Sequence, residues 1–332
     1  KSVILVGERA SESAGLFSAV AVLAAKTGAK VAYIPRRAGE RGALEAGALG
    51  NVLPGGRPVM DAAARVDIAA AWGVDSLPAT PGRSASEIID ALTSGDLDAV
   101  VVGGVDALDL PHGREAIAAL KKSFVVSLEI APSSVTAVAD VVLPVAAITE
   151  KSGSFLNWEG RARAFDSAVA DSHNRSDVRI LSMLADALGN PISLGTVTSS
   201  AREFNQLGSW DGARVQLAPV AAGTAKSVSG NDALLSSWRR LLDMGTLQKG
   251  EDNLAGTRRP TVAVISAKRA TSLGVTSGDQ VRVSNSHGSI TIPALVEDIH
   301  DDAVWLPRNS FASQTLVSLN AAHGDVVTVV KA

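Results

Sequence analysis

The chain has 332 residues, is 46% hydrophobic yet only 4% aromatic, and carries a formal net charge of −3. That length holds two or three domains with sizeable cores, and the charge balance gives no electrostatic footprint for nucleic acid or an anionic membrane. The absence of cysteine excludes disulfides, thiolate zinc sites and thiolate-held iron–sulfur clusters within these residues. The most lipid-like run, 14–25, ends at Lys26 and falls short of the roughly 20 residues that cross a bilayer, so no direct membrane insertion is expected. The first strand pattern begins at once, without a signal-peptide pattern, and reads as a segment cut from a longer chain.

In chain order, apolar runs at 2–6, 30–34, 98–102, 124–128 and 141–143 predict strands. Their nearly continuous Val, Ile and Leu content predicts parallel strands covered on both faces. Helical patterns lie between them. Ser84 and Glu87 form a capping-box pattern before Ile88, Ile89 and Leu92, and Gly95 is the stop. Ser176 is placed to cap a helix whose Ile180, Leu181, Leu184 and Leu188 share one face, with Gly189 and Pro191 ending it. This alternation predicts an α/β fold with a doubly wound parallel sheet over 1–200. Residues 201–259 read as a linker region. Within it 218–230, rich in Ala, Gly, Ser, Thr and Val, predicts a surface loop, and 231–243 a short helix. After Pro260 the period changes to two, with strands expected at 261–265, 280–284, 289–295, 304–307 and 325–330 and one helix at 267–273. Turn signals at Ser277-Gly278-Asp279 and Ser286-His287-Gly288 complete the pattern of a small closed barrel over 260–332.

Few residues carry chemistry. The turn Gly7-Glu8-Arg9-Ala10-Ser11 stands where α/β folds bind phosphate, but it matches no phosphate-loop spacing, and Glu8 and Glu12 would repel the ligand. Arg36, Arg37 and Arg41, with Gly55-Gly56-Arg57, could grip a dinucleotide or a partner's carboxylates; solvated loop charges are the plainer reading. Gly103-Gly104, followed by Asp106, admits either a close-lying cofactor or tight packing, and both readings stay open. Asp298, His300, Asp301 and Asp302 are expected to form a polar turn rather than a hard-metal site. Asn174-Arg175-Ser176 is a glycosylation sequon whose serine already has a capping role. No serine elbow or paired-histidine motif is present, so no catalytic or metal site is expected. In 139–163, ADVVLPVAAITEKSGSFLNWEGRAR, a strand ends at Pro144 and a polar loop holds Glu150, Lys151, Asn157, Glu159 and Arg161. Glu150 and Glu159 could act as acid and base if the loop folds back; staples to Lys151 and Arg161 are the favoured alternative.

That stretch resembles the ADVVLPAAxxxEKxGTFxNxEGR signature of the molybdopterin oxidoreductase superfamily. Within it, the chain resembles the branch represented by the G subunit of NADH-quinone oxidoreductase, in the peripheral arm of respiratory complex I. Arg41-Gly42-Ala43-Leu44-Glu45-Ala46-Gly47 and Leu53-Pro54-Gly55-Gly56-Arg57 are similar to that branch's RGALEAG and LLPGGR. Ala71-Trp72-Gly73 precedes Leu77-Pro78 and Pro81-Gly82 in the same order, and 270–283 resembles a hairpin of the family's C-terminal double-psi barrel. Glu159-Gly160-Arg161 carries the assignment to this branch, because formate-dehydrogenase-like relatives tend to have Glu-Arg-Arg there.

The resemblance implies a non-cluster, structural portion of a complex that passes electrons from NADH through iron–sulfur clusters to quinone, coupled to proton translocation. The 2Fe-2S and 4Fe-4S clusters would belong to an upstream part, and no cofactor is expected in this segment. Vestigial pterin-facing positions would be Gly103, Gly104, Asp106, Glu150, Asn157, Glu159 and Arg161. The implied partners are other peripheral-arm subunits of complex I, on the cytoplasmic, inner face of a bacterial plasma membrane. The competing reading is a fragment of a molybdopterin-dependent oxidoreductase such as a formate dehydrogenase, in which the loop 150–161 and the barrel clasp the cofactor.

Overall fold

A computed structural model describes residues 2–169, 171–192, 195–215, 219–224 and 226–332, with the backbone alone at Leu247. It divides into two compact units that interleave along the chain. The first comprises Lys1–Gly104, Ser123–Pro132 and Asp140–Ala222, and the second Val105–Lys122, Ser133–Ala139 and Gly223–Ala332.

The first unit is α/β. Strand β1 (Val3–Gly7) leads through α1 (Leu16–Thr27) to a parallel partner, β2 (Lys30–Ile34), with Val3 opposite Lys30 and Gly7 opposite Ile34. Helices α2 (Ala62–Trp72) and α3 (Ala85–Ser94) follow. The capping box at α3 forms as expected. The Ser84 N–H donates to Glu87 Oε2 at 2.6 Å, Ser84 Oγ accepts from the Glu87 N–H at 3.4 Å, and Gly95 closes the helix at φ 84. Strands β3 (Ala99–Gly103), β4 (Phe124–Glu129) and β5 (Val141–Pro144) form a second parallel sheet with β4 in the middle. A hairpin of β6 (Gly153–Leu156) and β7 (Ala162–Phe165) precedes α4 (Asp177–Ala187) and α5 (Val197–Leu207). Leu128, Val145 and Ile180 form a buried cluster, joined by Val126, Leu143 and Leu184.

Two expectations need correction here. The strands are not covered on both faces. Val3 and Leu5 are 59% and 66% exposed on one face of β1, and Val31 and Tyr33 stand partly open on the other face of β2. Val101 on β3 and Val141 and Val142 on β5 are exposed as well. A two-stranded and a three-stranded sheet offer too few neighbouring elements to cover every apolar side chain. Likewise α4 buries Ile180 and partly Leu184, but Leu181 and Leu188 face solvent, because one packed neighbour covers a narrower stripe than the periodicity suggests.

The second unit is built around a closed barrel. Its strands are β8 (Asp232–Trp238), β9 (Ala263–Ile265), β10 (Gln280–Asn285), β11 (Gly288–Val296), β12 (Ala303–Pro307) and β13 (Val326–Lys331). They close in the order β8-β12-β9-β11-β10-β13, with β8–β12 and β9–β11 parallel and the other pairs antiparallel. This is the double-psi barrel that the sequence resemblance implied. Helix α6 (Ala267–Leu273) lies where the periodicity placed it. Leu235, Ile265, Val281, Val283, Ile292, Val304, Leu306, Leu319, Val327 and Val329 fill the interior. Closure leaves no open edge for association.

The expected short helix at 231–243 is instead strand β8. Leu234, Leu235, Trp238, Leu241 and Leu242 fall at helical spacing, but Ala233, Leu235 and Ser237 are the buried positions, with period two. Pairing to both β12 and β13 overrides the local pattern. Residues 218 and 225 of the expected loop lie outside the described residues. The remainder of 219–229 is neither helix nor strand, and the Val220 N–H donates to Ser18 Oγ at 2.9 Å.

Candidate functional site

Residues 139–163 begin in β5 and run into the loop and hairpin of the first unit. Beyond β5, Val145 bridges to Arg175 and the Ala146 N–H donates to the Arg175 carbonyl at 2.8 Å, so the loop starts against the cap of α4. Glu150 lies in the next turn. Its Oε2 accepts from the Ala147 N–H at 2.7 Å, its Oε1 accepts from Ser172 Oγ at 2.8 Å, and Asn174 Nδ2 reaches both oxygens at 2.9 and 3.1 Å. These donors, the Ala147 N–H first and then Ser172 and Asn174, hold the Glu150 carboxyl below the ordinary carboxylate range. Lys151 pairs with Asp177 in the first turn of α4. Sequence spacing offered Lys151 as the staple for Glu150; the staple is the Ser172–Asn174 segment, more than twenty positions on. Asn174 is the sequon asparagine, and its amide is engaged by Glu150.

Glu159 and Arg161 belong to a separate, local turn. Asn157 Oδ1 accepts from the N–H groups of Glu159 at 3.0 Å and Arg161 at 2.9 Å. Gly160 holds the turn at φ 84, and Arg161 Nε pairs with Glu159 Oε2 at 3.1 Å. Among the described residues Glu150 and Glu159 share no hydrogen-bond partner, and each is tied to its own turn.

Gly103 and Gly104 end β3. A Cβ at Gly103 would meet only the Leu128 side chain, at ordinary contact distance, and the Gly104 N–H already donates to the Leu128 carbonyl at 3.1 Å. A Cβ therefore fits at both positions and tight packing requires neither glycine; what favours glycine is the left-handed backbone of Gly104, at φ 64. In the second unit, Asp106 Oδ1 accepts from the Leu108 N–H at 3.1 Å and from Ser134 Oγ at 2.6 Å, closing a short turn.

A pterin dinucleotide needs free backbone donors or cations at its phosphates and a ligand for its metal. The seven candidates do not fit it. The carboxylates of Asp106, Glu150 and Glu159 and the amide of Asn157 are occupied by their own neighbours, carboxylates add negative charge where phosphates would sit, and no thiolate ligand exists in the sequence. Among the described residues no group of three His, Asp or Glu side chains is placed to hold a metal. At 298–302 the turn is closed by the Asp302 N–H on His300 Nδ1, and Asp301 pairs with Lys268. Arg41 pairs with Glu45, and Arg36 approaches Glu8 at 3.6 Å. Arg57 is wholly internal. Sequence reasoning grouped it with the solvated loop charges, but only 3% of it is exposed.

Replacement Glu150→Gln is expected to lower the melting temperature at neutral pH and to leave it unchanged in acid. The folded-state pKa of Glu150 is depressed, so its contribution is present above the unfolded value of about 4.5 and is lost as pH falls through the folded value. Thermal melts of both proteins across this range check the expectation.

Residues 1–187 match a family model described as molybdopterin oxidoreductase, and residues 240–330 match one described as molydopterin dinucleotide binding domain. The G subunit of NADH-quinone oxidoreductase from Mycobacterium bovis is 46% identical over 332 residues, covering 99% of this chain and 41% of the relative. The subunit of the same name from Streptomyces coelicolor is 46% identical over 335 residues, with 99% and 40% covered. A G subunit of this enzyme from Rhizobium meliloti, numbered 2, is 29% identical over 296 residues, with 82% and 34% covered. The chain therefore spans about two fifths or less of the length of these relatives. With the α/β unit and the barrel both matched in order, the chain belongs to the molybdopterin oxidoreductase family.

Proposed function

We propose that the chain is the non-cluster, structural portion of the G subunit of an NADH-quinone oxidoreductase. In this reading it packs among the other subunits of the peripheral arm, on the cytoplasmic face of a bacterial plasma membrane. The complex passes electrons from NADH through 2Fe-2S and 4Fe-4S clusters to quinone and couples this to proton translocation. The clusters lie in the part of the subunit by which the relatives exceed this chain.

The observation that carries the reading is the 46% identity with G subunits of that enzyme, kept over 99% of the chain. The open apolar strands support it. Val3, Leu5, Val31 and Tyr33 lie on a sheet of two strands, an arrangement that a free-standing domain avoids because it favours unwanted association. No helix among the described residues is long and apolar enough to cross a membrane, which suits a subunit held by its neighbours. The local bonding of Asp106, Glu150, Asn157 and Glu159 favours this reading over a molybdenum-dependent dehydrogenase.

Elemental analysis tests the reading. The chain purified from cells able to make the molybdenum cofactor is expected to contain neither molybdenum nor tungsten in stoichiometric amount and to yield no fluorescent pterin. Stoichiometric metal with pterin would transfer it to the cofactor-dependent enzymes.

A further inference from the structure

The second unit carries a groove of about 510 Å³ beside the barrel, remote in sequence from residues 139–163. Arg258, Arg259 and Phe311 form its walls, and Pro260, Ile292 and Pro293 contribute its apolar lining. The Arg258 guanidinium lies 5.7 Å from the Phe311 ring centre, and Phe311 is 63% exposed. Arg240 lies 5.1 Å from the ring centre of buried Trp305 and donates to the carbonyls of Arg259 and Pro260, at 3.1 and 2.6 Å. The Trp305 indole N–H has no acceptor among the described residues. Next to Arg240, Leu241 is 90% exposed.

Three features separate this place from an ordinary solvated rim. Among the described residues no carboxylate forms an ion pair with Arg240, Arg258 or Arg259, whereas the adjacent Arg239 is held by Asp109 at 3.0 Å and Asp243 at 2.6 Å. Glu251, on the approach to the groove, already accepts from the Leu254 N–H. Next, Ala312 holds φ 61, a left-handed conformation that a non-glycine residue rarely adopts. The hairpin Asn309–Ser310 with Ser313–Gln314 enforces it through the Ser313 Oγ bond to the Pro307 carbonyl, and so presents Phe311 outwards. Finally, the short helix Asp252–Ala255 meets the groove with its carboxyl end, at Ala255 and Gly256. The Ala255 carbonyl there already accepts from the Arg258 N–H at 3.2 Å, which leaves the arginine guanidiniums as the anion-binding groups of the groove.

We infer that this groove docks an acidic polypeptide segment of another protein, one with Asp or Glu side chains next to an aromatic or leucine residue. Guanidinium forks match carboxylates in charge and shape, Phe311 and the prolines take the apolar neighbour, and arginines over aromatic rings keep their stems in place. The inference concerns the second unit alone and holds whichever larger protein the chain serves.

The test is a selection of short random peptides against the full chain, followed by affinity measurements on the winners. Enriched peptides are expected to be acidic with an aromatic or leucine residue, and to bind more weakly as salt rises. In Arg258→Glu/Arg259→Glu their affinity should fall about tenfold or more, the sum of two lost pairs and two repulsions. The milder Arg258→Gln/Arg259→Gln should fall between, with melting curves unchanged in both because the residues are exposed. Neutral or basic winners, no enrichment, or equal affinity for the variants would overturn the inference. Displacement of the peptides by GDP, or arginine-dependent binding to phosphatidylglycerol vesicles, would also overturn it by reassigning the arginines to phosphate.

Discussion

Arg57→Ala is expected to destabilise the α/β unit by about 3–5 kcal/mol, since it removes the buried guanidinium that satisfies three backbone carbonyls and leaves them unmatched. The Arg57 Nη1 donates to the carbonyls of Pro54 at 3.1 Å and Gly208 at 3.2 Å, and Nη2 donates to that of Leu207 at 3.1 Å. Its Nε pairs with Asp67 Oδ2 at 3.2 Å, and the guanidinium lies 5.5 Å from the Trp210 ring centre. One side chain therefore satisfies the open carbonyls at the end of α5 and joins them to α2, across some 150 positions of sequence. Arg57→Lys should recover only part of the loss, because a single ammonium nitrogen cannot stand in for the separately placed Nε, Nη1 and Nη2. Urea unfolding followed by circular dichroism reads both. Full stability in the lysine variant would show that charge alone suffices.

Leu235→Ala is the second large effect, about 2–5 kcal/mol from lost burial and the cavity left behind. Leu235 is buried in the barrel on β8, the strand that closes β12 onto β13. Its neighbour Leu234 points away from that interior, so Leu234→Ala should cost clearly less. The contrast checks the strand itself, since a helix over 231–243 would place both leucines on one face. Equal losses at the two positions would restore the helix.

These two sites also mark where the sequence is legible. Lys30–Ile34 and Ala267–Leu273 occur as the periodicity places them, and the Ser84–Glu87 capping box forms because all its groups lie within three residues. Local signals of this kind are written in adjacent side chains. Strand β8 was not legible, because its state is decided by partners some 70 to 96 positions away. The same holds for Glu150, whose partners Ser172 and Asn174 come from beyond the β6–β7 hairpin. Arg57 carried a charge and no sign of its depth. Arg258-Arg259-Pro260 was visible as letters, but only the fold brings Phe311 to Arg258. The superfamily signature lies in residues 139–163, whose polar groups tie the loop to itself and to α4.

The proposal of a module held within a larger assembly is tested most directly at its uncovered strand. Val3→Asp/Leu5→Asp places two charges on the open face of β1, where the isolated chain loses little because both side chains already meet water. The isolated variant is expected to melt with the parent. In the NADH-quinone oxidoreductase purified from membranes of cells carrying only this variant, the account predicts that the altered subunit is absent or strongly depleted, with quinone reduction by NADH reduced alongside it. Recovery of the variant subunit at parental stoichiometry in an active complex would contradict the account.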